Sequence, residues 1–484
     1  MQVLFVVSEA EPLIKSGGLG DVAGYLPLEL NKLGIEVKII LPCYSGIPPS
    51  FQEKMVLKKE ITVPVGWRKM HCNILEMEHQ GQFFYLLDNQ YYFRRENLYG
   101  YHDEAERFIF FSRAVLEALP HLGFNPQILH CHDWQGALTP VFLEAFYRQD
   151  PLYRNISTIL TIHNLRYQGI FPPQVLEDLL GMGSEYFTPE SLEFYGMVNF
   201  MKGGIEFSDI VTTVSKSYRE EIQHSFFGYN LDSLLRKNQE RLYGIVNGID
   251  YQAYDPMKDP EIWVPYRYSL AKKRENKTQL QELVGLPVQG EVPLVAIITR
   301  LVEQKGLDLV ARVLEEFLGG EDVQMVILGT GEKKYEDYFQ EMAQRYPRQL
   351  SAHISFDNSL SRKIYAGSDI FLMPSLFEPC GIGQLIALRY GSIPVVRETG
   401  GLKDTVQPYN EYTGEGNGFS FTNYNAHDML YTLQRALRFY QDKKTWDKIV
   451  QNAVKSDYSW KTSAREYREL YYKLAHNEDL AEEI

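Results

Sequence analysis

The segment Lys15-Ser16-Gly17-Gly18-Leu19-Gly20-Asp21-Val22 places a cation and three glycines ahead of a helical pattern. Glycines lacking Cβ let backbone N–H groups approach anionic oxygens, the following helix presents its positive dipole end, and Lys15 adds a mobile ammonium. A diphosphate would suit such a cradle; a plain glycine-rich turn with an exposed lysine is the alternative. More cations stand in Thr299-Arg300-Leu301-Val302-Glu303-Gln304-Lys305-Gly306. There the planar fork of Arg300 can grip phosphate oxygens and Lys305 can neutralise them as a point charge; a solvated charged loop is the plainer reading. In Pro374-Ser375-Leu376-Phe377-Glu378-Pro379-Cys380-Gly381-Ile382-Gly383, Glu378 sits between an aromatic and a proline, a rigid setting for a carboxylate that must hydrogen-bond sugar hydroxyls. Thr399-Gly400-Gly401-Leu402 is a second glycine turn, able to reach a diphosphate or to cap a helix.

Those loops need elements to carry them. Short apolar runs at residues 3–7, 37–41, 83–87, 128–132, 158–162 and 210–214 read as strands alternating with helical periods, which is α/β layering. The pattern restarts after Asn247-Gly248-Ile249-Asp250, with runs at 294–298, 323–328, 353–356, 370–373 and 393–396, so a second doubly wound domain is expected. Apolar residues at Leu307, Val310, Ala311, Leu314 and Leu318 share one helix face and belong to core, and residues 460–474 read as an amphipathic helix. Two such domains facing each other would take ligand in the cleft outside the carboxyl ends of their strands, where the chemistry-bearing loops fall.

A rival reading is a nicotinamide or flavin enzyme, because Gly18-x-Gly20-x-x-Ala23 satisfies the dinucleotide fingerprint. Residues 8–16 separate the strand from the glycines, however, and the next strand runs into Pro42-Cys43-Tyr44 without the acidic residue that would hold a ribose. The oxidoreductase reading is therefore a minor one.

Composition bounds the partners. At 484 residues the chain is long enough for two or three domains with ample core. A net charge of −14 disfavours nucleic acid or an anionic membrane, so an anionic ligand must be met by locally placed cations. Cys43, Cys72, Cys131 and Cys380 form no close pair, which suits a reducing compartment. The start lacks a basic and apolar leader pattern and no run reaches membrane-spanning length, so a cytoplasmic protein is expected.

The chain resembles the bacterial-type glycogen and starch synthases. The resemblance is carried by Lys15-Ser16-Gly17-Gly18-Leu19, His130-Cys131-His132-Asp133-Trp134, Thr161-Ile162-His163-Asn164-Leu165, Lys202-Gly203-Gly204, Asn247-Gly248-Ile249-Asp250, Arg300 with Lys305, Phe377-Glu378-Pro379-Cys380-Gly381 and Thr399-Gly400-Gly401-Leu402, in order and spread over essentially the whole length. It implies the α/β GT-B fold, with two doubly wound Rossmann-like domains facing across a cleft. Residues 1–246 would be the N-terminal domain on the acceptor side, 247–459 the nucleotide-sugar domain, and 460–484 a terminal helix packing back on the first. The activity implied is transfer of glucose, with retention, from ADP-glucose to an α-1,4-glucan, with no metal or other cofactor. Granule association is compatible with it, and the oligomeric state stays open.

By the same resemblance, Lys15, Gly17 and Gly18 contact the donor phosphates from one domain, and Arg300 and Lys305 from the other. His163, Asn247, Glu378 and Gly381 hold the glucosyl unit, with Asp21 and Cys380 close by, while Thr399 and Gly400 line the nucleotide sugar. His163, Arg300, Lys305 and Glu378 are the candidates for catalysis. Four positions depart from the family pattern. Ser16 replaces the usual threonine or valine, a change of little consequence. Leu376 replaces a frequent arginine, Gly383 a common threonine near the phosphates, and Phe356 a frequent tyrosine, so adenine can stack there without a hydroxyl partner.

Plainer readings stand beside these. His130 and His132 share one strand face and with Asp133 could mimic a metal triplet, yet no second cluster completes a site, and packing explains them. Cys380 has no basic partner in its motif, so a lining thiol is expected and not a nucleophile. Asp133, Trp134, Tyr92 and Arg94 are candidates for the acceptor-glucan surface, with core packing as the alternative for the aromatic stretch. Two other functional classes remain open at this level: a GT-B enzyme with a small acceptor, of the sucrose or trehalose-phosphate synthase type, and a catalytically silent glucan-binding scaffold.

Overall fold

The structure, a computed structural model, describes residues 1–476. The chain divides into two compact units, one formed by Met1–Ile245 together with the helix Trp460–His476, the other by Val246–Ser459. Of the terminal helix expected at 460–484, residues 477–484 lie outside the described residues.

In the first unit nine strands form one sheet in the order Leu242–Gly244, Ile210–Thr213, Ser157–Ile162, Ile128–His132, Gln2–Val6, Glu36–Pro42, Gln82–Asp88, Arg68–His79 and Val56–Val65. The first seven pair in parallel. Their runs are buried on both faces, as a sheet covered by helices on each side requires. The last two form an antiparallel hairpin that extends the sheet edge. Gln2–Val6 lies between Glu36–Pro42 and Ile128–His132, so the chain reverses its direction of winding between the strands at 2–6 and 128–132, beyond whose carboxyl ends a doubly wound sheet leaves a crevice. The helix Trp460–His476 buries Trp460, Ala464, Tyr467 and Tyr471, spaced four, three and four residues apart. Tyr471 reaches into the sheet, with its hydroxyl 2.7 Å from Nδ1 of His130.

The second unit holds a six-stranded, wholly parallel sheet in the order Leu350–His353, Gln324–Leu328, Leu294–Ile298, Ile370–Met373, Ile393–Arg397 and Phe419–Phe421. Side-chain alternation along the strands divides its core. Val295, Ile297, Met325, Ile327, Ile370 and Leu372 pack on one face; Leu294, Ala296, Val326, Leu328, Phe371 and Met373 pack on the other. The strand expected at 353–356 instead spans Leu350–His353, because its neighbour ends where Leu328 pairs with His353 and offers no further ladder. Among the described residues no helix is long and apolar enough to cross a membrane.

Candidate active site

In the first unit the chain leaves the strand Gln2–Val6, loops through residues 8–17 and enters the helix Gly18–Lys32. The loop lies across the first turn of that helix, with the Glu11 amide donating to the Gly20 carbonyl at 3.0 Å. A Cβ on Gly20 would stand 2.4 Å from the Cβ of Lys15, so this approach requires glycine. Lys15 is thereby held over the helix start, its Nζ 2.9 Å from Glu11 Oε1 and 3.0 Å from Asp21 Oδ1. Burial opposes its charge, but the carboxylates of Asp21 and Glu11 outweigh it and raise the lysine above its usual range. Asp21 is shifted upward by burial despite the same ion pair. Gly17 and Gly18 are exposed at the helix start, where the first amides of a helix lack intrahelical partners. The buried Glu9 carboxylate accepts from the amide of Ser16, fixing the loop from beneath; burial raises its pKa. Glu9 and Glu11 carried no glycine or motif signal that would have marked them in the sequence.

The next two strands bring a second set to the same sheet end. Asp133 follows Ile128–His132 with φ of +52°, a left-handed conformation that aspartate tolerates better than most residues. Its Oδ1 accepts from the amides of His163, at 2.7 Å, and Asn164, at 3.4 Å. Burial pushes its carboxyl up to about 7, against the pull of those two amides. The half-buried His163 follows Ser157–Ile162 and sets Nε2 2.9 Å from Nδ1 of His132. Burial pushes the His163 imidazole down to about 3 and holds it neutral at ordinary pH. His130 is spoken for on both sides, by Tyr471 and, at 2.6 Å, by Thr161 Oγ1.

Two of the acceptor candidates are core. Tyr92 is fully buried against Phe93 and Phe110, its hydroxyl donating to Glu106 at 2.5 Å. Trp134 is buried among Phe108, Phe171 and Phe200. The expectation of Tyr92 and Trp134 on an acceptor surface is corrected accordingly: aromatic area of this size is worth more inside than out. Arg94 pairs with Asp88 at 3.3 Å and remains partly exposed. Lys202, carried in the sequence as a motif residue, donates to the carbonyls of Pro189 and Ser191 at 2.7 and 2.6 Å.

In the second unit three loops meet at the carboxyl ends of neighbouring strands. After Leu294–Ile298 come the exposed Arg300 and the largely buried Lys305; after Ile370–Met373 comes the loop 374–383. Lys305 Nζ lies 2.6 Å from Glu378 Oε2, with side chains 15% and 9% exposed. Ser375 Oγ donates to the same oxygen at 3.1 Å. The sequence reading gave Lys305 to phosphate and Glu378 to sugar, and the structure joins them as one pair. Gln304 Nε2 donates to the Phe377 carbonyl at 3.2 Å and Arg397 Nη1 to the Leu376 carbonyl at 2.6 Å, so two polar side chains hold the loop. Neither carried a sequence signal of its own.

The turn 399–401 backs that loop. Gly400 has φ of +45°, and a Cβ there would stand 2.0 Å from the Glu378 carbonyl oxygen. The Gly401 amide donates to the carbonyls of Glu378 and Pro379, each at 3.1 Å, and Thr399 is buried at the start of the helix Gly400–Thr405. Cys380 is buried, and burial pushes its thiol up to about 12 although the Asn247 amide stabilises the thiolate, so it is no nucleophile near neutrality. Asn247 is itself buried, and its Oδ1 has no hydrogen-bond partner among the described residues, an acceptor aimed at nothing of the chain's own. Gly381 adopts φ of +75°. Gly383 opens a helix with Phe371 and the Tyr365 hydroxyl 3.2 and 3.3 Å from where a Cβ would stand. Phe356, 85% exposed, follows the edge strand. No group of three or more potential metal ligands occurs among the described residues.

Comparison with known proteins bears on both units. The family model of the starch synthase catalytic domain matches residues 2–237, and that of glycosyl transferases group 1 matches residues 282–455. The chain is 56% identical over 475 residues to a glycogen synthase of Bacillus cereus (strain Q1), covering 98% of this chain and 100% of that one. To a glycogen synthase of Desulforamulus reducens it is 53% identical over 480 residues, covering 99% and 100%. The catalytic domain of starch synthase IV from Arabidopsis thaliana, solved bound to ADP and acarbose, matches with a TM-score of 0.90 and 34% identity over 98% of this chain and 99% of that one. A sucrose-phosphate synthase from Thermosynechococcus elongatus, at TM-score 0.61 and 16% identity over 98% and 99%, shares the fold alone. The fold is GT-B, and the chain belongs to the glycogen and starch synthase family, glucosyltransferases that elongate an α-1,4-glucan.

Proposed function

We propose that the donor is ADP-glucose, that the glucosyl unit passes with retention to the non-reducing end of the glucan, and that the residues divide the work as follows. Lys15 and the amides at the start of Gly18–Lys32 bind the donor phosphates. Arg300 and Lys305 stabilise the charge that grows on ADP as it leaves. Glu378, the orphan Oδ1 of Asn247 and the neutral His163 hold the sugar hydroxyls. As the bond from the anomeric carbon to the phosphate oxygen breaks, the bond to the acceptor oxygen forms on the same face, and the acceptor proton passes to the departing phosphate. Fixed cations and dipoles supply most of the stabilisation. Asp133, Asp21 and Arg94 complete the surroundings, and Phe356 offers an exposed ring for adenine.

The observation that carries this reading is the loop 374–383. It sets a buried carboxylate beside a lysine and, through the Asn247 amide on Cys380, next to a buried acceptor without a partner. That chemistry fits a polyhydroxylated ligand bearing phosphate. The ADP in the Arabidopsis relative and the glycogen synthase relatives support the same substrates. With three lysine and arginine side chains assigned to the phosphates, we propose that no metal takes part, and the four free, buried thiols fit a cytoplasmic protein.

Nucleotide release tests this directly, with ADP-glucose and UDP-glucose as donors and glycogen, maltooligosaccharides, fructose and glucose 6-phosphate as acceptors, each with and without a chelator. Release from ADP-glucose that depends on glycogen or maltooligosaccharide and survives chelation is expected. Release dependent on fructose or glucose 6-phosphate, or abolished by the chelator, would overturn the corresponding assignment.

A further inference from the structure

His163 is tied down at two points, its amide to Asp133 Oδ1 and its Nε2 to Nδ1 of His132. The His132 and His163 rings stack at 5.3 Å between centroids, and His132 stacks on His130 at 4.3 Å. Burial keeps both members of the His132–His163 pair neutral, so each ring carries a single N–H. Across their contact one nitrogen donates and the other accepts. The remaining nitrogen of His132, Nε2, is buried and has no hydrogen-bond partner among the described residues.

Only two proton arrangements satisfy the contact. With the His132 proton on Nε2, a buried N–H is left unsatisfied and His163 must donate through its own Nε2. With the proton on Nδ1, the orphan at Nε2 is a lone pair, and His163 Nε2 accepts. A buried N–H without a partner is the costlier of the two, so the second arrangement prevails. The proton of His163 then sits on Nδ1, which makes no hydrogen bond with the described residues and belongs to a half-buried side chain.

We propose that His132 is a positioning residue that locks His163 in its Nδ1–H tautomer, so that His163 meets the glucosyl unit as a neutral hydrogen-bond donor. This rests on the reading that His163 contacts the sugar. A neutral donor polarises a sugar oxygen without adding a second positive charge near the anomeric carbon; the opposite tautomer would offer only a lone pair.

The test is the imidazole nitrogen spectrum of the whole enzyme labelled with ¹⁵N-histidine, in the wild type, His132→Asn and His132→Leu, with His163→Ala for assignment. The wild type is expected to show His163 protonated at Nδ1, with a pyridine-like shift at Nε2. His132→Asn places an amide N–H close to the position of Nδ1 and should keep that pattern and most of the turnover. His132→Leu should lose the pattern and about tenfold in kcat, the worth of one well-placed hydrogen bond, with little change in KM for the donor. Protonation of wild-type His163 at Nε2 would overturn the proposal, and so would an unchanged His163 tautomer in His132→Leu. The prior reading is tested apart from this: full turnover by His163→Ala would remove His163 from the sugar while leaving the tautomer assignment standing.

Discussion

Lys305 and Glu378 are separated by seventy-three residues in sequence and joined at 2.6 Å in space. If they served the donor independently, one at the phosphate and one at the sugar, the losses from Lys305→Met and Glu378→Gln would multiply. The geometry says otherwise. Both side chains are largely buried, and Glu378 Oε2 accepts from Lys305 and from Ser375 together. A hydrogen bond between charged groups is worth about 1.5–3 kcal/mol, so a double-mutant cycle in denaturant unfolding should show coupling of that size. Each single change leaves a buried partner stranded, and the double variant should be more stable than the two losses added together predict. In turnover, each single change should cost on the order of a hundredfold, and the double variant should lie close to the worse single one, as expected of groups acting as a unit. Calorimetry with ADP adds a sign. Glu378→Gln frees the Lys305 ammonium, so ADP should bind as tightly as before or more tightly while turnover collapses, whereas Lys305→Met should weaken ADP. Losses in turnover that multiply across the double variant, together with coupling in stability below about 0.5 kcal/mol, within the usual error of additivity, would refute the reasoning.

Three further expectations follow from geometry. Lys15→Gln should raise KM for the donor and Lys15→Arg should restore it only in part, because the guanidinium cannot retrace the ammonium between Glu11 and Asp21; an unchanged KM in Lys15→Gln would remove Lys15 from the phosphates. The Asp133 carboxyl, pushed up to about 7, holds its proton in the folded state over a range where the unfolded chain has lost it. Its contribution to stability is therefore full below about pH 4 and is lost as pH rises towards 7. Asp133→Asn keeps an acceptor for the His163 amide and tolerates the left-handed φ, so comparison of unfolding from pH 4 to 8 should show the wild type losing stability relative to the variant, and a parallel course for both would contradict it. Gly400→Ala should cost about 2 kcal/mol or more in unfolding free energy and most of the activity, since its Cβ would overlap the Glu378 carbonyl oxygen at a positive φ; near-normal melting would show that the turn can move aside.

The doubly wound layering was legible because parallel strands buried on both faces are written as apolar runs, and the runs at 128–132, 294–298 and 370–373 coincide with strands to the residue. The hairpin Val56–Val65 and Arg68–His79 escaped, since its outer strand is half exposed and carries Lys58, Lys59 and Glu60 in place of an apolar run. At the candidate site, glycines and cations stood out as local patterns. What lay hidden were relations across the chain. Glu9 under Ser16, Gln304 under Phe377 and His132 against His163 are pairings that a linear motif does not state, even where it contains one of the partners. Tyr92 misled for the opposite reason: aromatic density reads the same whether the rings stack on sugar or on one another.

The seat of Tyr471 also sets an order of events during synthesis. His130 lies at the centre of the first sheet with both ring nitrogens engaged, one of them by a hydroxyl that the ribosome adds only after all of Val246–Ser459. At ordinary elongation rates that interval is on the order of tens of seconds. Until it ends, the nascent first unit keeps a polar atom unanswered in its middle and the bed of Tyr467 and Tyr471 open. The unit encoded first is thus the last to receive all of its parts.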